Sequence, residues 1–244
     1  KTVELRGAKS VVLGVCSRGY HKLYVNGREV EETFGPNRSH IEDGFLLAET
    51  YDVTKFVKDG ANEIVVLVSD GWGRKCKLPS RLSIDGRAVT AQGVVAIDSS
   101  KPWLTARTNV RGINWMWNDF NGEHQGDVLK CTDERPGRPW ADGRISVACD
   151  VSPRDRVLRR LPAVSVERLG AKSWRIDFGE QFTGFVRLRL KGKPGEVAVL
   201  DMSDNVATRH QFRQRWEYEF CEGGEGRFGN LLNWMAGRYA HLDG

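Results

Sequence analysis

Apolar and polar residues alternate with a period of two through most of the chain, the mark of half-buried strands. In residues 184–190 (GFVRLRL), Val186, Leu188 and Leu190 share one face, and Arg187 and Arg189 share the other. Gln214, Trp216, Tyr218 and Phe220 alternate in the same way with Arg213, Arg215, Glu217 and Glu219. The near-continuous apolar run 63–68 (EIVVLV) predicts a strand covered on both faces. Tyr24-Val25 leads into Asn26-Gly27, the pair best suited to a two-residue hairpin turn. Other turns are marked by Asp59-Gly60, Asp70-Gly71, Asp85-Gly86, Pro136-Gly137 and Pro194-Gly195, and Gly223-Gly224 with Gly226 reads as a turn as well. Helix is confined to two candidate single turns, 54–58 after Asp52 and 230–236 (NLLNWMA). The pattern predicts an all-β chain of two consecutive β-sandwich, jelly-roll-like domains with little helix. A stretch rich in Pro, Gly, Asp and Arg, from 131 to 160, separates two strand-rich regions and sets the domains at 1–152 and 153–244.

Composition narrows the function classes. With 244 residues, 40% of them apolar, and eight Trp, the chain has enough apolar surface to build a core. Lys plus Arg number 37 and Asp plus Glu 32, so the net charge is 37 − 32 = +5. The densest basic cluster, Arg154, Arg156, Arg159 and Arg160, is short and has no accompanying nucleic-acid reading element, so it reads as solvated surface. No apolar run approaches the ~18 residues of a membrane helix. Neither nucleic acid nor membrane is expected as a partner. No signal peptide is visible and the first residue is Lys1, which suggests a processed chain or a piece of a longer one. Cys16, Cys76, Cys131, Cys149 and Cys221 form no C-x-x-C pair, and they read as buried free thiols.

Familiar catalytic motifs are missing: there is no G-x-S-x-G, H-E-x-x-H or P-loop. The five His show no metal-ligand spacing, and His21, between Tyr20 and Lys22, reads as a surface residue. The most concentrated polar-aromatic stretch is 114–127 (NWMWNDFNGEHQGD). Its Trp115, Trp117 and Phe120 offer flat apolar rings for pyranose C–H groups, while Asp119, Asn121, Glu123 and Asp127 offer oxygens for hydroxyls. The same oxygens suit calcium, with Asp119, Asn121 and Glu123 as candidate ligands. The segment is not an EF-hand, because His124 stands where the loop needs Gly and Lys130 where it needs Glu. A loop whose aromatics cap the sandwich core is the competing reading. The carboxylates of Asp201 and Asp204 would support glycoside hydrolysis only if they faced each other across a cleft.

Several of these runs fall in a known order. Residues 19–30 (GYHKLYVNGREV) are followed by 50–54 (TYDVT), 60–64 (GANEI) and 70–72 (DGW). This succession resembles the N-terminal accessory sandwich of bacterial α-L-rhamnosidases, glycoside hydrolase family 78. Residues 120–123 (FNGE) resemble that domain's Y-D-G-E segment, with Phe for Tyr and Asn for Asp. Asp127 resembles the Asp of the D-A-R that follows there, although Val128 and Leu129 replace Ala and Arg. In the second half, 177–188 (DFGEQFTGFVRL) resembles D-F-G-Q-N-F-x-G-W-V-R-L, and Trp216–Phe220 with Gly237-Arg238-Tyr239 resembles the closing strands. Jelly-roll domains of β-galactosidase-like hydrolases share the first motifs, and the D-F-G block is what favours the rhamnosidases.

The resemblance implies an accessory front end of a glycoside hydrolase. In that family the catalytic carboxylates sit on a helical (α/α)₆ barrel that follows these sandwiches, so no catalytic residue is assigned here and the chain alone is expected to be inactive. Its implied partners are the missing barrel and a rhamnose-containing glycan. In some members an accessory sandwich of this kind binds rhamnose through calcium, which points to the same segment around Asp119. An extracytoplasmic or periplasmic location follows only from the substrate class. The other class of function is a self-contained carbohydrate-binding or interaction module. Trp174 and Trp216 are expected in the second core or at the barrel junction. Leu231, Leu232, Trp234 and Met235 are expected on an apolar patch that the barrel would cover.

Overall fold

A computed structural model describes residues 1–31, 45–69, 81–100, 103–105, 110–113, 126–129, 138–139, 146–149, 156–209, 214–220, 224–229 and 235–244. The architecture is all-β. The strands are β1 (Thr2–Leu5), β2 (Ala8–Ser17), β3 (Tyr20–Val25), β4 (Arg28–Glu29), β5 (Phe45–Asp52), β6 (Gly60–Ser69), β7 (Leu82–Thr90), β8 (Gly93–Asp98), β9 (Leu104–Thr105) and β10 (Val110–Ile113). They continue as β11 (Gly126–Leu129), β12 (Arg138–Pro139), β13 (Ser146–Cys149), β14 (Ser165–Gly170), β15 (Ser173–Gly184), β16 (Arg187–Lys191), β17 (Val197–Ser203), β18 (Arg215–Glu219), β19 (Glu225–Gly229) and β20 (Met235–Asp243). A single 3₁₀ turn, Thr54–Phe56, answers the first helical candidate. The second is not helical where it is described: Met235 and Ala236 open β20, while 230–234 lie outside the described residues.

Two compact units separate: Lys1–Thr105 with Gly137–Val157, and Ala106–Pro136 with Leu158–Gly244. In the first, a four-stranded sheet (β1-β6-β3-β4) and a five-stranded sheet (β13-β5-β2-β7-β8) share one core. Val11, Leu13 and Val15 come from β2, Leu23 and Val25 from β3, and Ile64 from β6, each pointing inward at every second position. The run 63–68 is not covered on both faces. Val65 is 43% exposed while Ile64 is buried, because its antiparallel sheet keeps one face toward solvent. Asn26 and Gly27 take φ of 52° and 73°, so both central residues are left-handed as the β3–β4 turn requires.

In the second unit a seven-stranded sheet runs β10-β11-β18-β17-β20-β15-β14, and β16 and β19 form a separate ribbon. Trp216 and Tyr218 of β18 and Phe220 just after it fill the core with Leu200 and Met202 of β17, and Val186, Leu188 and Leu190 pack on them from the ribbon side. Here the alternation reads the structure directly, as Arg187 and Arg189 face out. Met235 is no part of an exposed patch: it starts β20 opposite Gly184 and is buried in this core. Trp174 is half-buried on β15, outside the core cluster. Leu231, Leu232 and Trp234 lie outside the described residues.

Candidate functional site

The segment singled out for sugar or calcium is the connection between β10 and β11. Ile113 pairs with Gly126, so the two ends of residues 114–125 are held together as neighbouring strands. β11 then pairs in parallel with β18, through Val128 with Glu217 and Leu129 with Tyr218. The connection thus springs from the end of the seven-stranded sheet opposite β14. Trp115, Trp117, Asp119, Asn121 and Glu123 lie outside the described residues. Asp127 is placed by its backbone alone, opposite Gly112. Among the described residues, no three His, Cys, Asp or Glu side chains converge as a metal site.

The described polar groups explain what the recurring short motifs do. Asn62, in GANEI, is completely buried. Its Oδ1 accepts from the Lys58 N–H (2.8 Å) and the Asn26 amide (2.9 Å), and its Nδ2 donates to the carbonyls of Lys58 (2.7 Å) and Gly60 (2.9 Å). Asn26, in YVNG, also donates to the Phe56 carbonyl (3.0 Å) and accepts from the Glu63 N–H (3.0 Å). In YDVT, Asp52 accepts from the Thr54 N–H and hydroxyl, and Thr54 Oγ1 accepts from the Val11 N–H. These three motifs satisfy turn backbone, around the buried Asn62 in the interior and around Asp52 at the surface.

His21 is a core residue, not a surface one, at 2% exposure. Along β3 it shares its parity with Leu23 and Val25, so it points into the sandwich. Its Nδ1 lies 2.8 Å from Ser17 Oγ, and its Nε2 lies 2.8 Å from the Tyr51 hydroxyl. Tyr51 donates to Glu49 Oε2 at 2.5 Å, and Ser17 donates to the Gly19 carbonyl at 3.1 Å. Ser17 Oγ thus lies between the Gly19 carbonyl and His21 Nδ1, and the Tyr51 hydroxyl between His21 Nε2 and Glu49, so a buried hydrogen-bonded row runs from Ser17 to Glu49. Ser17 is buried, which keeps its hydroxyl from reaching a substrate as a nucleophile.

In the second unit the DFG and GRY motifs meet. Asp177 accepts both Arg238 Nε (2.8 Å) and Nη2 (2.9 Å), and the Gly179 N–H as well (2.7 Å). Gly179 has φ of 79°, a conformation glycine adopts cheaply. The Arg238 guanidinium and the Gly179 N–H together pull the Asp177 carboxyl down to about 2. Asp201 is not a catalytic acid. It is fully buried and gripped by Arg215 through Nε (2.8 Å) and Nη2 (2.9 Å). Arg209 lies beside Asp201 at 3.8 Å and also reaches Asp243. His241, opposite Asp201 on β20, has a buried Nε2 without a hydrogen-bond partner. Burial, then Arg209 and Arg175, hold His241 below its ordinary 6.5, against an opposing pull from Asp201. Cys16 is buried and free, and burial pushes its thiol up to about 12, which makes it inert. Cys76, Cys131 and Cys221 lie outside the described residues, as does the side chain of Cys149.

These shifts give the second unit an acid response in two stages. His241 has a depressed value in the fold, so its contribution is complete above 6.5 and is lost as pH falls through the lower folded value. Asp177 is also depressed, so its contribution is present above 3.8 and disappears as pH falls toward about 2. Denaturant midpoints measured down a pH series should fall in both windows. His241→Gln should flatten the upper one and leave the lower one in place; an unchanged upper window in that variant would count against this assignment.

A family model described as the alpha-L-rhamnosidase N-terminal domain matches residues 7–123. Over these residues the chain is similar to the N-terminal domain of alpha-L-rhamnosidases. The match takes in β2 through β10 and most of the connection that follows. An alpha-L-rhamnosidase of Streptomyces avermitilis is 23% identical over 208 residues, spanning 75% of this chain and 19% of that protein. Among solved structures, the alpha-L-rhamnosidase of Dictyoglumus thermophilum superposes with a TM-score of 0.80 at 15% identity, over 100% of this chain and 30% of that one. The Aspergillus terreus enzyme gives 0.76 at 18% identity, over 100% and 31%. The Streptomyces avermitilis enzyme, solved with L-rhamnose, gives 0.68 at 19% identity, over 100% and 26%. The rhamnosidase-type fold therefore extends through both units, and the chain spans less than a third of the length of each of these relatives.

Proposed function

We propose that the chain serves as the accessory, non-catalytic front portion of an α-L-rhamnosidase, scaffolding a helical catalytic barrel. The supporting observation is one of extent. The whole chain superposes on the Dictyoglumus thermophilum enzyme while accounting for 30% of it. The chemistry of the described residues agrees: Asn62, Asp177 and Asp201 are each occupied in holding strands and turns. Glycoside hydrolysis needs one carboxyl to protonate the leaving oxygen and another to attack or activate water. The isolated chain should therefore not hydrolyse an aryl α-L-rhamnoside above background. Turnover that survives purification and is abolished by Asp119→Asn or Glu123→Gln would place an active site within these residues and overturn the proposal.

The 114–127 connection carries the second part of the reading: a weak site for a rhamnose-containing glycan, built from Trp115, Trp117, Asp119, Asn121, Glu123 and Asp127. Calcium held by Asp119, Asn121 and Glu123 would orient sugar hydroxyls. It needs about six to eight oxygens, so backbone carbonyls and the sugar must complete the shell. Asn121 supplies no charge, which weakens the site. L-rhamnose titrated in the presence of calcium should quench Trp fluorescence at millimolar sugar, and a chelator should abolish most of the response. No response at any sugar concentration, with or without calcium, would leave the aromatics as core-capping residues.

A further inference from the structure

The face of the seven-stranded sheet turned away from the core carries a row of ionisable side chains that crosses five strands. Arg215 of β18 stands opposite Asp201 of β17, Asp201 opposite His241 of β20, His241 opposite Arg175 of β15, and Arg175 opposite Glu167 of β14. Residues directly opposite in an antiparallel pair share a face, so the five side chains stand side by side. Their neighbours along the same strands, Leu200, Met202, Ala240 and Ile176, point the other way into the core. With His241 neutral the row is balanced, two guanidiniums against two carboxylates. His241 is its odd member: it is 8% exposed, and its Nε2 is buried without a hydrogen-bond partner. A sixth group closes over the row. Arg209, at the end of the exposed turn 205–209 that follows β17, folds back to lie 3.8 Å from Asp201 and to pair with Asp243.

We propose that His241 is an acid-operated latch: when it takes up a proton, its imidazolium takes over Asp201 from Arg209, and the 205–209 turn comes off the sheet. Charge decides which neighbour yields. Among the described residues, an imidazolium in the row faces Asp201 on β17, Arg175 on β15 and Arg209 from the turn, with Tyr239 and Asp243 on its own strand. Asp177, the next residue on that face of β15, is already held by Arg238. The imidazolium is drawn to Asp201 and repelled by both arginines. Arg175 is fixed within β15 and keeps Glu167 as its partner. Arg215, on the far side of Asp201, grips it through two bonds of 2.8 and 2.9 Å. Of these three arginines only Arg209 sits on a turn, and its contact with Asp201 is the longest. What remains to it, Asp243, makes a pair at the surface, which holds an exposed turn weakly. The turn's own bonds, among Ser203, Asn205 and Ala207, stay intact when it swings away. At neutral pH the latch is shut, because burial and the two arginines keep His241 uncharged.

An NMR titration of the 244-residue chain from neutral pH downward reads both halves of the latch at once. The ring-nitrogen shifts of His241 report its proton, and the backbone heteronuclear NOEs of Asn205 to Arg209 report the turn. Both should change with one shared midpoint below 6.5, while the amides of β17 and β20 keep their dispersed shifts. His241→Gln, which cannot take the proton, should hold the turn rigid through the same range. Arg209→Ala should leave the turn mobile at every pH and move the His241 midpoint upward, since coupled sites act on each other equally. A His241 that titrates beneath a turn that stays rigid would overturn the proposal. So would a turn that loosens with the same pH dependence in His241→Gln, or a His241 midpoint indifferent to Arg209→Ala. Loss of the β17 and β20 amides at or before that midpoint would overturn it as well, because the unit would then be unfolding rather than releasing one turn.

Discussion

Replacing Asn62 with leucine is expected to lower the stability of the first unit by about 4 kcal/mol, although the two side chains are similar in size. Asn62 makes four hydrogen bonds from a fully buried position, three of them to backbone groups of Lys58 and Gly60. Each is worth roughly 1 kcal/mol net, and a buried group left without a partner costs about 1–3 kcal/mol. Leucine removes all four and strands the Lys58 N–H, which puts the loss at about 4 kcal/mol. The Asn26 amide keeps its bond to the Phe56 carbonyl, so the hairpin turn itself should persist. Asn62→Asp keeps the two accepting bonds but turns an acceptor toward the Lys58 and Gly60 carbonyls in a fully buried site, so it should be no more stable than the leucine variant. Urea unfolding followed by circular dichroism would read these differences. A leucine variant within about 1 kcal/mol of the parent would show that the turn finds other partners and that Asn62 is not its lock.

The strands were legible because alternation reports burial wherever one face of a sheet meets a core. Val186, Leu188 and Leu190, and Trp216, Tyr218 and Phe220, fall inside as the period requires. Asn26-Gly27 was legible for a local reason: few residue pairs accept positive φ at both positions. A surface reading of His21 fails because the face it takes follows its neighbours in parity, Leu23 and Val25, and not the adjacent Tyr20 and Lys22. Glu49 was accessible by the same logic, two residues before Tyr51 and four before Val53 on one face. Pairings between distant segments were not legible. No spacing rule connects Asp177 to Arg238, or Asp201 to His241, until β15, β17 and β20 lie side by side. Which unit takes a strand is likewise a long-range matter. β11 lies before the Pro- and Gly-rich stretch that begins at 131, yet it pairs with β18 of the second unit. The 114–127 segment stands out by composition, and composition alone does not say which of its side chains converge.

The largest effect in the second unit is expected at Trp216. It is almost fully buried on β18, opposite Leu200 of β17, in a core it shares with Tyr218, Phe220 and Met202. Trp216→Ala removes the largest fully buried side chain of the molecule's described part and should cost about 3–5 kcal/mol, since the strands on either side cannot close the cavity without breaking their ladders. Phenylalanine separates packing from polarity at the same site. The indole N–H of Trp216 has no hydrogen-bond partner although it is buried. Removing it therefore relieves a desolvation penalty of about 1–3 kcal/mol, while the smaller ring gives up part of the packing. The two terms oppose, so Trp216→Phe should lie within about 1 kcal/mol of the parent. The contrast with alanine would appear as two well-separated denaturant midpoints. If phenylalanine were nearly as damaging as alanine, the indole nitrogen must hold an acceptor in solution, and the ring's polar edge, not its volume, would be what the second core depends on.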